Sequence, residues 1–187
     1  MKVRDQRDTR FEDLYNRHRS AVWLYCRRRV GQDRAYDVMG EVFLVVWRRI
    51  DSAPPGPDAL PWLYRICHLT LSNQWRGAAR RLRLESKLYG IGVTQPIPLI
   101  DHVVAREEVR NVLHLLEGMR ASDAEILKLA AWEGLDSGEI ATVLDISPVT
   151  ARQRLSRARR RLSNLYEKTY NETQTVGNPV AQKGDTW

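Results

Sequence analysis

Cysteine is scarce in this 187-residue chain: Cys26 and Cys67 are the only two, and neither sits in a CxxC pattern. Neither a disulfide framework nor a zinc site is therefore expected. Both residues lie in apolar helical stretches, where a buried free thiol is expected. No apolar run is long enough to span a bilayer. The opening MKVRDQRDTR is charged and has none of the apolar stretch that a secretory signal needs, so a cytoplasmic location without membrane insertion is expected. No segment alternates strongly enough to be a strand, and no internal repeat is evident. No His/Asp/Ser constellation argues for an enzyme. Tyr64 beside Arg65 is too little for a recombinase-like nucleophile with an arginine cluster. No catalytic residue, metal or cofactor is expected.

What is present is apolar surface and positive charge. Hydrophobic residues make up 43% of the chain, enough for a packed core, and the formal net charge is +7. A basic excess of this kind favours a polyanionic partner, nucleic acid or an anionic membrane. The cations cluster at Arg76–Lys87 and Arg152–Arg161.

The periodicity is helical throughout. Phe11, Leu14, Tyr15, His18, Val22 and Tyr25 share one face of a first helix, with Gly31 as its stop and Asp33 able to cap the next. Val38, Val42, Phe43, Val45, Val46 and Trp47 then build an unusually apolar helix up to about Ile50. Asp51–Pro61 holds four prolines and a glycine, and reads as a loop because proline lacks the N–H and fixes φ. A third helix is predicted over about 62–83, with Leu63, Ile66, Cys67 and Leu69 as its apolar stripe. Gly90, Gly92, Pro96 and Pro98 then interrupt the pattern, marking a linker. Helical spacing returns at Val103–Glu117. Three start signals follow: Ser122 with Glu125, Asp136 with Glu139, and Ser147 before Pro148. The expected fold is all-α, with two small helical domains over 9–83 and 103–166, a flexible linker over 84–102 and a frayed tail over 167–187.

The strongest local pattern is a short helix at Asp136–Leu144, a tight turn at Asp145-Ile146-Ser147, and a longer basic helix from Pro148. This is a helix-turn-helix layout. Ala141 is small where the helices cross, Ile146 plugs the turn, and Ala151, Leu155, Ala158 and Leu162 line the inner face. Asp145 holds the turn position often taken by glycine, and aspartate tolerates φ > 0 better than a β-branched residue does. The outer face carries Val149, Thr150, Arg152, Gln153, Ser156 and Arg157. Arginine can pair bidentately with guanine, and glutamine with adenine, in a major groove. Arg154, Arg159, Arg160 and Arg161 are better placed on phosphates. The plain alternative is a solvated basic face on an ordinary bundle.

Two further segments carry recognition chemistry. Asn73, Gln74, Trp75, Arg76, Arg80 and Arg81 interleave amide, aromatic and cationic groups, a composition that stacks on unpaired bases and holds their backbone. The competing reading is a surface of snorkelling arginines with Trp75 packed inward. The helix DVMGEVFLVVWRRI is apolar on nearly every face, so one face can serve the core and another a protein partner. It could equally be a fully enclosed central helix.

Together these stretches resemble the extracytoplasmic-function class of the sigma-70 family. FEDLYNRHRSAVWLYCRRRV is similar to the family's opening helix. DVMGEVFLVVWRRID followed by PWLYRICHLTLSNQWRGAARR resembles region 2, and LLEGMRASDAEILKLAAWEGLDSGEIATVLDISPVTARQRLSRARRRL resembles region 4. The resemblance implies a sigma factor that directs promoter-specific transcription initiation. Asp37, Glu41, Val42 and Val45 would dock on the β′ clamp of core RNA polymerase, whose β flap is a second contact. Asn73, Arg76 and Arg80 would sit at the −10 element. Asp51–Leu60 would hold a flipped-out base of the non-template strand. Ser147, Pro148, Val149, Thr150, Arg152, Gln153, Ser156 and Arg157 would read the −35 major groove, and Leu84–Asp101 would thread toward the active-site cleft. Promoter DNA and core polymerase are the implied partners, and many members of the class are also held by an anti-sigma factor. Three positions depart from the family's habit: Gly40 stands where a polar residue is usual, His68 where arginine is common, and Ala151 where valine is common. A stand-alone helix-turn-helix regulator with an N-terminal dimerisation or sensing domain remains the alternative.

Overall fold

The computed structural model describes residues 2–89 and 107–176, with side chains described over 6–83 and 109–169. Among these residues the regular structure is helical: α1 (Lys2–Val30), α2 (Gln32–Arg48), two 3₁₀ turns (Ile50–Ser52 and Gly56–Asp58), α3 (Ala59–Tyr89), α4 (Glu107–Glu117), α5 (Ala121–Trp132), α6 (Ser137–Leu144) and α7 (Pro148–Val176). No helix among them is long and apolar enough to cross a membrane.

In the N-terminal half, α1, α2 and α3 pack on one another. The chain reverses between α1 and α2 on Gly31 alone, at φ 79 and ψ 172, a conformation that a side chain would strain. Val22, Tyr25 and Cys26 of α1 meet Ala35, Val38, Val42 and Val46 of α2 and Leu63, Cys67 and Leu71 of α3 in a sealed core. Both cysteines are buried free thiols within it. In the C-terminal half, Leu113 and Leu116 of α4, Ile126 and Leu129 of α5, Ile140 and Val143 of α6, and Ala151, Leu155 and Ala158 of α7 make the corresponding core.

Several boundaries differ from those read in the sequence. The first helix starts at Lys2, about two turns before the apolar stripe, and α3 runs on to Tyr89. The N-terminal extension, KVRDQRDTR, is almost entirely polar, so burial periodicity could not reveal it. Residues 167–176, expected to fray, continue α7. The linker expected over 84–102 lies largely outside the described residues, as do 103–106 and the tail beyond 176. Asp33 does not cap α2, whose N-cap is Gly31. Nor does Ser122 open α5: Arg120 is its N-cap, without a side-chain cap, and Glu125 is turned to a different use.

That use is contact between the halves. Arg29 of α1 is 2% exposed. Its guanidinium bonds Glu125 at 3.0 Å and Glu133 at 2.8 Å, and lies 3.4 Å from the centre of the Tyr25 ring. Tyr25 donates to Glu125 at 3.2 Å and stacks on Tyr64 with centroids 5.0 Å apart. His68 Nδ1 lies 3.7 Å from Glu125. Arg28 donates to the Trp132 carbonyl at 2.6 Å. At the rim, Arg65 of α3 pairs with Asp145 at 2.7 Å. In this structure the two halves are docked against each other.

Candidate nucleic-acid interface

The turn at Asp145 governs the C-terminal site. Asp136 caps α6, accepting from Gly138 and Glu139 N–H at 2.7 and 2.9 Å, while the Glu139 carboxylate accepts from the Asp136 N–H at 2.8 Å. This reciprocal box fixes where α6 begins. Eight residues later the helix ends on Asp145, left-handed at φ 56 and ψ 50, and the Ile146 N–H reaches back to the Ala141 carbonyl at 3.1 Å. Ser147 then caps α7, its Oγ accepting from the Thr150 N–H at 3.1 Å. Three local devices thus set the angle at which α7 leaves α6.

Along α7 the two faces separate cleanly. Ala151, Leu155 and Ala158 are buried and Leu162 is half-buried, closing the inner face as expected. Val149, Arg152, Gln153, Ser156 and Arg157 are exposed on a stripe at spacings of three, four, seven and eight residues. Ser147 and Pro148 are exposed at its head and Thr150 is half-buried. Val149 is 59% exposed, and an aliphatic side chain left so open beside arginines is free to meet a thymine methyl. Arg157 Nε donates to the Gln153 carbonyl at 3.3 Å, which orients its guanidinium. Arg154, Arg159 and Arg160 are exposed, whereas Arg161 is paired with Asp123 of α5.

The second basic segment lies on α3. Asn73, Arg76 and Arg80 are exposed along one face. Asn73 Oδ1 accepts from Arg76 Nη2 at 2.7 Å, and Arg76 Nε donates to the Ser72 carbonyl at 3.2 Å. Amide and guanidinium are thereby held as a pair. Trp75 is half-buried and packs against the core, so the inward reading holds for that ring. His68 faces Glu125 across the boundary between the halves.

On α2 the named residues divide. Asp37 and Glu41 are exposed and Val45 is half-buried, but Val42 is fully enclosed in the core. Val42 shares the inward row with Ala35, Val38 and Val46, so it cannot offer its side chain to a partner. The sequence reading missed Leu44, 59% exposed, and Tyr36, 63% exposed. The spacing of Val38, Val42 and Val46 was the available signal, because it fixes the inward row and puts Asp37, Glu41 and Leu44 outside. Glu41 is also engaged: Gln74 Nε2 donates to it at 2.8 Å, and Arg34 donates to Gln74 at 3.4 Å.

Residues 14–81 match the family described as Sigma-70 region 2, and residues 110–162 match Sigma-70, region 4. The "Probable RNA polymerase sigma factor RfaY" of Xanthomonas campestris pv. campestris is 29% identical over 156 residues, covering 81% of this chain but 35% of that protein. The ECF RNA polymerase sigma factor SigK of Mycobacterium sp. (strain KMS) is 27% identical over 158 residues, 82% of this chain and 81% of the relative. The ECF RNA polymerase sigma-E factor of Escherichia coli (strain K12) is 27% identical over 163 residues, 82% and 85%. The solved sigma factor RpoE from Bartonella quintana, in complex with the anti-sigma factor NepR, superposes with TM-score 0.66 at 20% identity, covering 84% of this chain and 96% of that one. CnrH in complex with the cytosolic domain of CnrY gives TM-score 0.57 at 24% identity, covering 84% and 88%. These two likenesses speak to the fold.

Proposed function

Since the chain belongs to the sigma-70 family, in its extracytoplasmic-function class, we propose that it recruits core RNA polymerase to promoters by reading two DNA boxes with two helical modules. It acts by binding, without catalysis of its own, and works in the cytoplasm alongside polymerase. The domain limits we assign are about 9–83 for the polymerase-binding and −10 module and about 103–166 for the −35 module.

Each surface has a physical rationale. Arg152, Gln153, Ser156 and Arg157 stand in the N-terminal turns of α7 with their polar groups open, where base edges are reached first. Asn73, Arg76 and Arg80 take the −10 strand, the first two already paired for a planar contact. Asp37, Glu41, Leu44 and Val45 face the β′ clamp, combining two carboxylates with a flanking apolar edge. A shallow apolar groove lined by Val109, Val112, Leu116, Leu127, Trp132 and Leu162 suits an apolar helix of the β flap. An anti-sigma factor, as in the solved complex of the Bartonella quintana sigma factor, is a further proposed partner. Linkage of two modest modules raises avidity without tight binding by either.

The observation that carries the reading is the open stripe of Val149, Arg152, Gln153, Ser156 and Arg157 over a sealed inner face, in a chain whose earlier helices match region 2. Run-off transcription with purified core polymerase tests it. A promoter-dependent transcript that requires this protein is expected. Failure to produce one, with a shift of a palindromic duplex by the protein alone, would favour the stand-alone regulator.

A further inference from the structure

The first turns of α1 precede the family match, which begins at residue 14, and the described fold gives them a specific task. Arg7 Nη1 pairs with Asp51 at 2.7 Å. Its Nη2 donates to the Trp47 carbonyl at 3.4 Å, and its guanidinium stacks 5.8 Å from the Trp47 ring centre. One turn on, Arg10 Nη2 donates to the Ala53 carbonyl. Phe11 meets the Trp47 ring edge-on with centroids 5.3 Å apart. All of these contacts fall on the end of α2 and the entry of the proline-rich loop.

The chemistry suits the position. Carbonyls in the last turn of a helix are short of partners, and a cation there meets the negative end of the helix dipole. The loop itself has few donors, because Pro54, Pro55 and Pro57 carry no N–H. Its entry is anchored by the buried Ile50 and Ala53 and its exit by the buried Ala59, while Pro55, Gly56, Pro57 and Asp58 project into solvent. A rigid tip on a fixed base is what capture of a single unpaired base requires, since each side chain or backbone unit ordered on binding weakens affinity. Without the two arginines the entry would keep its own short-range bonds: Ser52 N–H and Oγ to the Arg49 carbonyl at 2.9 and 2.8 Å, and Ala53 N–H to the Ile50 carbonyl at 3.1 Å.

We infer that Arg7 and Arg10 are positioning residues for strand opening, holding the Asp51–Leu60 loop in the shape that takes up a flipped-out base. The inference rests on the role that the sigma-70 resemblance implies for that loop, and the experiment separates the two. Holoenzyme is reconstituted with cognate core polymerase. Its affinity is measured for a non-template single strand, selected by wild-type holoenzyme from a randomised pool, and for the same strand with an abasic site scanned through the selected box. Wild type discriminates base from abasic at one position. The Arg7→Ala, Arg10→Ala double variant loses about three- to tenfold of that discrimination, as expected for one or two hydrogen bonds. Core affinity, thermal midpoint and duplex −35 affinity stay as in wild type, and Arg10→Lys alongside native Arg7 stays near the wild-type ratio. A loop-tip variant, Pro57→Gly with Asp58→Ala, serves as reference. If the tip variant loses discrimination and the arginine variant keeps it, the positioning role is overturned while the loop's role stands. If the tip variant keeps it, the loop reading fails and the inference goes with it.

Discussion

Arg29 and Glu133 meet at 2.8 Å across the boundary between the two halves, each with only 2% of its side chain exposed. A charge so enclosed is tolerable only while its partners are in place. Arg29 answers to two carboxylates of α5 and its C-terminal edge, and to the ring and carbonyl of Tyr25 in its own helix. The cluster therefore stabilises one relative placement of the halves rather than either half alone. On the proposed assignment, that placement cannot read a whole promoter. Arg65 touches Asp145 at the turn before α7, and Arg76 lies about 16 Å further along α3 at 1.5 Å per residue. Boxes centred near −10 and −35 are about 85 Å apart at 3.4 Å per base pair. The halves must part before both boxes are engaged.

Arg29→Ala should therefore open the molecule. Breaking a buried ion pair from one side costs about 3–5 kcal/mol, and here the halves can avoid most of that cost by separating and hydrating Glu125 and Glu133. Small-angle scattering should report a larger radius of gyration, with helix content by circular dichroism unchanged. An unchanged radius would mean that apolar packing alone holds the halves together.

Acid should open the same contact, but late. Burial alone would raise the Glu125 carboxyl, yet the Arg29 guanidinium and His68 outweigh it and hold the group well below the usual carboxylate range. In the open form Glu125 meets water and titrates near its ordinary 4.5. Its contribution to closure is thus complete above that value and is lost as pH falls through the depressed one. Arg29 stays charged throughout, Tyr25 stays neutral, and Lys128 faces the same carboxylate from α5. The scattering radius of wild type should show no Glu125-dependent change between about pH 7 and pH 5, and should grow only below about pH 4.5. With Glu125→Gln that acid step should disappear.

The turn residue Asp145 separates backbone from charge. At φ 56 a β-branched side chain is strained, so Asp145→Val should destabilise the C-terminal half by about 1–2 kcal/mol. Asp145→Gly suits the same backbone and removes only the exposed bridge to Arg65. Glycine should keep the thermal midpoint close to wild type and valine should lower it by several degrees. Equal loss in both would assign the effect to the Arg65 contact instead.

Much of this was legible in the chain because the relevant rules are local. The Asp136–Glu139 box, the Asp145 turn and the Ser147 cap each depend on a few adjacent residues, and all three occur. Ser122 with Glu125 has the same spacing but does not cap, because Glu125 is drawn to Arg29, 96 residues away, and no local pattern encodes that distance. Val42 falls on the partner face in the sequence reading because the helix is apolar on nearly every face. Only the i, i+4, i+8 row of Val38, Val42 and Val46 tells which side turns inward. The early start of α1 was invisible for a related reason. Arg7 and Arg10 earn their place through carbonyls of α2 and its loop, not through burial of their own.

Arg152 offers the sharpest test of direct readout. It is exposed in the first turns of α7 and has no acidic partner among the described ion pairs. Its fork is therefore free to grip the acceptor edge of a guanine. Arg152→Ala should weaken holoenzyme binding to the preferred −35 sequence by about 1–3 kcal/mol while leaving most variant sequences nearly unaffected at one base position, flattening the specificity profile there. Arg160→Ala, further down the helix and also exposed, should weaken every −35 sequence alike and reduce the salt slope by about 1. Binding measured over a set of single-base −35 variants at two salt concentrations distinguishes the two patterns. If Arg152→Ala behaves as Arg160→Ala does, Arg152 holds phosphate, and base reading in this groove falls to Gln153 and its neighbours.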